Sequence, residues 1–177
     1  MSISARPVRL IGENRELLGF CEKSEAHQKG LRHLAFSVFL FDNAGRMLLQ
    51  RRALSKYHCG GLWSNACCSH PSSFSSIAEE AKTRLLEELG IQTALKEVFS
   101  FSYRAEFENG LIENELDFVL IGTFEGDLMP DPAEVSEVRW ISESELFDEL
   151  DQFPERFTVW FRRSVKDVFD AYHRAKL

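Results

Sequence analysis

Residues 63–71 bring together side chains that could do chemistry. Their sequence is Trp-Ser-Asn-Ala-Cys-Cys-Ser-His-Pro, with a thiol at Cys68 and an imidazole at His70. In an extended backbone alternate side chains share a face, so the thiol and the imidazole would point the same way and could serve one site. The alternative is that the cysteine is a small buried side chain and the histidine an ordinary surface or core residue.

Three histidines and two glutamates form a candidate metal site. The histidines fall beside predicted element ends, and the glutamates are two residues apart on a predicted strand, so they share a face. Two carboxylates side by side are unfavourable unless a cation lies near them. Three nitrogen and two oxygen donors suit an octahedral divalent ion such as Mn2+ or Mg2+, or Zn2+ with expanded coordination. The set is His27, His33, His70, Glu113 and Glu115. Its alternative is a scatter of surface histidines and a solvated carboxylate pair.

Further charged residues indicate a phosphate-type ligand. Arg51, Arg52 and Lys56 form a basic cluster in a chain of formal charge -7, and a small anion is the natural partner of such a cluster. Glu88 lies four residues after Arg84 on a predicted helix, where it could hold a magnesium ion that carries a phosphate. The alternatives are a solvated basic face and an exposed ion pair worth about 0.3–0.5 kcal/mol.

Periodicity and turn residues predict the elements that must position these side chains. An apolar run at 34–41 indicates a buried central strand, and Asn109-Gly110 predicts a hairpin between strands at 95–106 and 111–124. A capping box of Ser76 and Glu79 predicts a helix over 77–89 that ends at Gly90. The other predicted elements are a hairpin at 8–20, a helical turn at 23–30 capped by Ser24, strands at 47–52 and 137–141, a short helix opened by Ser142 and Glu145, and a helix over 158–175.

Length and composition bound the class of protein. The chain has 177 residues, 44% of them hydrophobic and 28% charged, which suits one globular domain with a buried core. A net charge of -7 and a pI near 5.3 argue against a nucleic acid or an anionic membrane as partner. The longest apolar run is too short to cross a bilayer, and the N-terminus lacks the apolar region of a secretory signal. We therefore expect a cytoplasmic location.

Five short motifs, in this order along the chain, together resemble one known family. They are Arg51-Arg-Ala-Leu-Ser-Lys56, residues 63–71, Leu86-Glu-Glu-Leu-Gly90, Tyr103-Arg-Ala105 and Glu113-Asn-Glu115. The family is that of the type I isopentenyl-diphosphate isomerases, relatives of the Nudix hydrolases, and the resemblance runs from about residue 23 to 160. It implies an α+β, Nudix-like fold with a mixed β-sheet between helices. It also implies interconversion of isopentenyl and dimethylallyl diphosphate.

The resemblance implies one domain over 1–177, with a core at about 31–165 and the segment 8–30 completing the site. Cys68 would be the catalytic thiol, Glu115 the catalytic carboxylate, and Tyr103 its hydrogen-bond partner. The five donors His27, His33, His70, Glu113 and Glu115 would hold Mn2+, Mg2+ or Zn2+. Glu88 and the backbone carbonyl of Cys68 would hold the Mg2+ that accompanies the diphosphate. The substrate contacts would be Lys23, Arg52, Lys56 and Arg84 at the phosphates and Trp160 at the hydrocarbon end.

The implied partner is a small isoprenoid diphosphate, with neither nucleic acid nor membrane, bound by a monomer or weak dimer. Two alternatives remain: a Nudix-type diphosphate hydrolase and a non-catalytic metal- or ligand-binding module. A hydrolase needs a cluster of carboxylates to hold metal and activate water. Ser69, Ser75, Thr83 and Arg84 stand where a Nudix box has its Gly, first Glu, Arg and second Glu. The chain also has Cys59-Gly60 where the isomerases commonly have an aromatic residue and a proline.

Overall fold

A computed structural model describes residues 6–56 and 58–175. The strands are β1 (Pro7–Ile11), β2 (Leu17–Glu22), β3 (His33–Phe41), β4 (Met47–Arg52), β5 (Trp63–Asn65), β6 (Cys67–Ser69), β7 (Lys96–Glu106), β8 (Ile112–Thr123) and β9 (Val135–Ile141). The helices are α1 (Lys23–Lys29), α2 (Ile77–Leu89), α3 (Glu143–Gln152) and α4 (Val159–Ala175), with a 3-10 turn at Pro154–Arg156 before α4.

Strand β3 is the centre of the sheet. It runs parallel to β8 along one edge, and β1, β4 and β6 pair antiparallel with successive parts of it. The parallel register sets His33 beside Glu115 and Ala35 beside Asp117. Strand β7 pairs antiparallel with β8, as the Asn-Gly turn predicts. The predicted mixed sheet is confirmed.

Alternate side chains of β3 enter two different cores. Phe36, Val38 and Leu40 pack in the cluster that includes Leu85 and Leu89 of α2. The next residues in the alternation belong to the cluster built with α4, which contains Phe39, Phe41, Phe161 and Phe169. A strand that is apolar on both faces must be covered on both sides, and helices provide this cover. The predicted arrangement of a sheet between helices is therefore confirmed.

The face toward α4 changes character along β3 and β8. Toward the C-terminal ends of these strands it carries core residues, among them Phe39 and Val119. Two-residue periodicity places His33, Ala35 and Ser37 of β3 on that same face, together with Glu113, Glu115 and Asp117 of β8. All of these side chains except that of Ala35 are polar. One face of the sheet thus forms a core at one end and a polar site at the other.

The helix ends agree with the predictions in part. α1 begins at Lys23 after Glu22, so the predicted Ser24 cap is wrong, because Ser24 lies within the first turn. Ser76 caps α2 by accepting a hydrogen bond from the Glu79 amide at 3.3 Å. The Glu79 carboxylate pairs with Lys82 instead, so within the described residues one half of that predicted capping box is formed.

The other predicted ends are confirmed. α3 begins with a complete capping box between Ser142 and Glu145. α2 ends at Gly90, whose φ of 70° lies in the left-handed region that glycine adopts without strain. Across residues 6–56 and 58–175, no helix has the length and apolar character needed to cross a membrane.

The buried face of α2 should govern stability. Leu85 is fully buried against the sheet, whereas its neighbour Leu86 is 43% exposed. We expect Leu85→Ala to lower the free energy of unfolding by about 2–5 kcal/mol, because it leaves a cavity, and Leu86→Ala to change it by about 0.5 kcal/mol or less. Urea denaturation of the two variants measures this difference. Equal losses would contradict the packing described.

Candidate active site

The predicted metal ligands meet at the polar end of β3 and β8. One donor atom from each of the five residues lies within 4.8 Å of all the others. The donors come from four places in the chain: His27 on α1, His33 on β3, His70 just after β6, and Glu113 and Glu115 on β8. The parallel register of β3 and β8 brings His33 beside Glu115. The alternative of scattered surface histidines is wrong.

Carboxylates and imidazoles face each other inside this group. The Glu115 carboxylate oxygen Oε1 is 2.7 Å from His70 Nε2 and 3.3 Å from His33 Nε2. Oε2 of Glu113 is 3.2 Å from His27 Nε2. His33 Nδ1 lies 2.7 Å from the carbonyl oxygen of Leu31, which can only accept, so Nδ1 donates the proton and Nε2 faces the carboxylates.

The donor set fits a divalent ion. Among the residues that the structure describes, His33 Nε2 and Glu113 Oε2 are buried atoms with no hydrogen-bond partner. Unsatisfied polar atoms of this kind are costly, and a metal ion bound between them would remove the cost. A metal-binding histidine also commonly donates its other ring N–H to a backbone carbonyl, as His33 does to Leu31.

Burial and neighbouring charges shift the pKa values of residues in this group. Burial raises the pKa of Glu115, but the charge of His33 and the hydrogen bond from Tyr103 oppose this effect, and the pKa lies well below its usual value. Burial lowers the pKa of His33, but the negative charge of Glu115 and the hydrogen bond to the Leu31 carbonyl oppose this effect, and the pKa is raised. Burial and the charge of Lys23 lower the pKa of His70 well below its usual value.

Cys68 lies on the opposite side of β3 from Glu115. Strand β6 pairs with the edge of β3 that faces away from β8, with Cys68 opposite Ser37. Since neighbouring strands are about 4.8 Å apart, the backbones of β6 and β8 are separated by roughly 10 Å. Both Cys68 and Glu115 line one cavity of about 330 Å³, counting its open mouth, with the small side chains of Ala35 and Ser37 between them.

The Cys68 sulfur lies near four polar side chains: Asn65, Trp160, Ser64 at 3.6 Å and Ser37 at 3.9 Å. The sulfur lies 2.9 Å from Asn65 Oδ1, which accepts, and receives a hydrogen bond of 3.0 Å from the indole N–H of Trp160. The same indole N–H lies 3.0 Å from the hydroxyl of Ser64. Burial raises the pKa of Cys68 to about 12, so the thiol keeps its proton at neutral pH.

Tyr103 is the predicted partner of Glu115. The two residues are opposite each other in the β7–β8 register, and the Tyr103 hydroxyl donates to Glu115 Oε2 at 2.6 Å. Burial and the negative charge of Glu115 raise the pKa of Tyr103 well above its usual value, so the phenol stays neutral and remains a donor.

The predicted substrate contacts divide into two groups. Lys23, Arg52 and Trp160 line the cavity, and the Arg52 guanidinium carbon lies 5.3 Å from the centroid of the Trp160 ring. Burial lowers the pKa of Lys23 to about 8. Lys56 and Arg84 are not part of the cavity wall in this structure: each forms an ion pair with Glu134.

Glu88 lies with this second group. It is buried, and its Oε1 atom is 2.5 Å from an Arg84 guanidinium nitrogen. The interpretation of Arg84 and Glu88 as an exposed surface pair is therefore wrong. Burial raises the pKa of Glu88 despite the opposing charge of Arg84. The side chain also contacts Cys67, which is fully buried beside Cys68.

Three residues at the site are missing from the sequence-based predictions. Asn65 donates both amide hydrogens to the carbonyls of Val38 and Cys67, which turns its oxygen toward the Cys68 thiol. Asp117 continues the two-residue spacing of Glu113 and Glu115, so that spacing could have identified it. It accepts a hydrogen bond of 2.7 Å from Ser37, and burial raises its pKa well above the usual value.

His58 is the third missing residue. It comes from the loop between β4 and β5, and its Nε2 atom lies 2.5 Å from Glu113 Oε1. Burial lowers its pKa. A lone histidine in a loop gives no sequence signal of such a position.

Comparison with solved structures agrees with the fold. The crystal structure of DR0079 from Deinococcus radiodurans superimposes with a TM-score of 0.75 at 16% identity, covering 91% of this chain and 98% of that one. A MutT protein from Methanosarcina mazei gives a TM-score of 0.62 at 20% identity, covering 82% and 95%. At these identities the likeness concerns the fold alone.

Sequence comparison identifies the family. Residues 31–161 match the NUDIX domain. The isopentenyl-diphosphate Delta-isomerase of Burkholderia multivorans is 48% identical over 157 residues, which cover 89% of each chain. The enzyme of the same name from Serratia proteamaculans is 43% identical and covers 90% of this chain and 89% of its own. The chain therefore belongs to the isopentenyl-diphosphate Delta-isomerase family of NUDIX-domain proteins.

Proposed function

We propose that this protein interconverts isopentenyl and dimethylallyl diphosphate. The observation that carries the proposal is the placement of Cys68 and Glu115 on opposite sides of one cavity. Moving a double bond by one carbon requires a proton to be added at one end and another to be removed from the neighbouring carbon. An acid and a base must therefore flank the substrate, and these two side chains do so.

Cys68 and Glu115 share the proton that the reaction moves. The thiol of Cys68 is protonated and Glu115 is ionised, so the pair holds one transferable proton before turnover. One member adds a proton to the alkene, which gives a tertiary carbocation, and the other removes a proton from the adjacent carbon. The substrate keeps its composition, and the roles exchange when the reaction reverses. Tyr103 supports Glu115 by donating to the carboxylate oxygen Oε2.

Placement and exclusion of water contribute more to the rate than cation–π attraction. A ring such as that of Trp160 can stabilise a positive charge by about 2 kcal/mol when desolvated. Enzymes typically lower barriers by about 8–23 kcal/mol. The larger part must come from holding the alkene between the two proton-transfer groups in a dry cavity. The buried state of Trp160, Tyr103 and Glu115 supports such a cavity.

Two metal ions belong to the proposal. Mn2+, Mg2+ or Zn2+ would be held by the three histidines with Glu113 and Glu115, where it would neutralise the carboxylates and fix the position of Glu115. Mg2+ would accompany the diphosphate on Glu88 and the Cys68 carbonyl. Lys23 and Arg52 would contact the phosphates from the cavity wall. Lys56 and Arg84 would exchange their ion pairs with Glu134 for contacts to the diphosphate.

A Nudix-type hydrolase is the second candidate, because isomerases and hydrolases share the Nudix fold. The helix that would carry the hydrolytic carboxylates has Thr83 and Arg84 at two of the positions of the box, and Arg84 pairs with Glu88. The remaining acidic residues Glu87 and Glu88 both accept from Arg84. With Arg84 in place of one carboxylate of the box, the two that remain are too few to bind several metal ions and activate water.

The thiol should be essential for turnover. We expect Cys68→Ala to reduce isomerisation by at least about 100-fold, because it removes one of the two proton-transfer groups. The assay incubates the protein with isopentenyl diphosphate and Mg2+ and measures the acid-labile allylic product. Cys21→Ala, at a cysteine on β2 outside the site, is the control. Turnover near the wild-type value in Cys68→Ala would refute the assignment.

Metal content should depend on the histidine cluster. We expect His33→Ala to lose most of the divalent metal that purifies with the wild type, because one of the five donors is missing. Elemental analysis of the purified proteins measures the metal. His173→Ala is the matched control, since that imidazole is exposed and pairs with Glu143 far from the site. Unchanged metal content in His33→Ala would contradict the proposed site.

Hydrolysis provides the test of the second candidate. We expect no release of phosphate from nucleoside diphosphate derivatives in the presence of Mg2+, under conditions where isopentenyl diphosphate is isomerised. A phosphate assay run beside the isomerase assay decides between the two activities. Phosphate release at a rate comparable to isomerisation would favour the hydrolase.

A further inference from the structure

His58 reaches the metal cluster from an element that carries none of the five ligands. The loop at 53–62 connects β4 to β5, and it turns sharply at Cys59, whose φ of 53° is uncommon for a residue with a side chain. Its neighbour His58 is 7% exposed. The imidazole lies near both the metal cluster and Trp160: its ring centroid is 5.9 Å from that of His27 and 6.0 Å from that of Trp160.

The two oxygens of the Glu113 carboxylate face different histidines. His58 Nε2 is 2.5 Å from Oε1, while Oε2 lies 3.2 Å from His27 Nε2. An ionised carboxylate only accepts, so the His58 nitrogen donates to Oε1. A carboxylate held at one oxygen cannot rotate freely about its terminal bond. The other oxygen, Oε2, is thereby kept directed at the donor cluster.

We propose that His58 is a positioning residue for the metal site, which holds Glu113 through Oε1 so that Oε2 is set to bind the ion. The proposal rests on the metal site of the proposed function. Partners that orient a ligand from outside the first coordination sphere typically change metal affinity by about 10–100-fold when they are removed. His58 has this relation to Glu113.

The loop that carries His58 also links it to two residues proposed to contact the diphosphate. Lys56, a proposed diphosphate contact, lies two residues before His58. A guanidinium nitrogen of Arg52, the last residue of β4, lies 3.4 Å from the His58 carbonyl oxygen. The same short segment therefore connects the residues proposed for the diphosphate with those proposed for the metal.

The test compares His58→Ala with His58→Gln. The glutamine side chain retains an N–H donor near the position of Nε2, whereas alanine has none. We measure the Kd for Mn2+ of the metal-stripped, full-length proteins by competition with a chelator. We expect a Kd about 10–100-fold higher for His58→Ala and a value closer to the wild type for His58→Gln. His173→Ala again serves as the control and should bind as the wild type does.

Each outcome decides the proposal. A wild-type Kd in His58→Ala would overturn it, as would equal weakening in the alanine and glutamine variants, since the N–H donor would then be irrelevant. If His58→Ala fails to fold, as thermal unfolding of the metal-free protein would reveal, retention of Mn2+ affinity by His58→Gln supports the proposal and its loss overturns it. Failure of the metal site itself is distinguishable, because the wild type would then bind Mn2+ no better than His33→Ala, which overturns both proposals.

Discussion

The burial of two neighbouring carboxylates is the constraint on which the rest of the site depends. Glu113 and Glu115 lie on one face of β8 and are almost completely removed from water. Negative charges this close are tolerated only when positive charge or strong donors surround them. Three of the surrounding groups are His27, His33 and His70, and a fourth, His58, comes from a loop. A divalent ion would supply the positive charge that the two carboxylates require without protonation of the histidines.

One face of β3 contributes to the core at one end and to the cavity at the other. Phe39 and Phe41 anchor β3 in the core under α4, and the preceding residues on that face, Ala35 and Ser37, are small enough to leave a cavity. Rigid packing at one end therefore holds Cys68 and Glu115, the proposed proton-transfer groups, at the other end. The position of Cys68 opposite Ser37 follows from strand pairing rather than from a flexible loop. Such a scaffold suits a reaction in which a small error of placement is costly.

Much of this could be predicted from the sequence, because the signals are local or repeat along an element. The apolar run at 34–41 and the Asn-Gly turn identify the central strands, and the motifs that resemble the family identify Cys68, Tyr103 and Glu115. The Ser24 cap was wrong because helix initiation depends on where the preceding strand ends, here at Glu22. His58 could not be predicted, since its direction follows from the backbone at Cys59. The pairing of Lys56 and Arg84 with Glu134 brings together distant segments and leaves no local pattern.

The parallel pairing of β3 with β8 also affects how the protein folds and unfolds. It joins strands from opposite halves of the chain, and contacts between distant segments form slowly because the intervening chain must first be ordered. His33 and Glu115 become neighbours only when this pairing is complete. A metal ion that needs both residues has no site in a chain that lacks the pairing. Its binding energy therefore stabilises the folded state without assisting the pairing, and it prolongs the life of that state rather than speeding its formation.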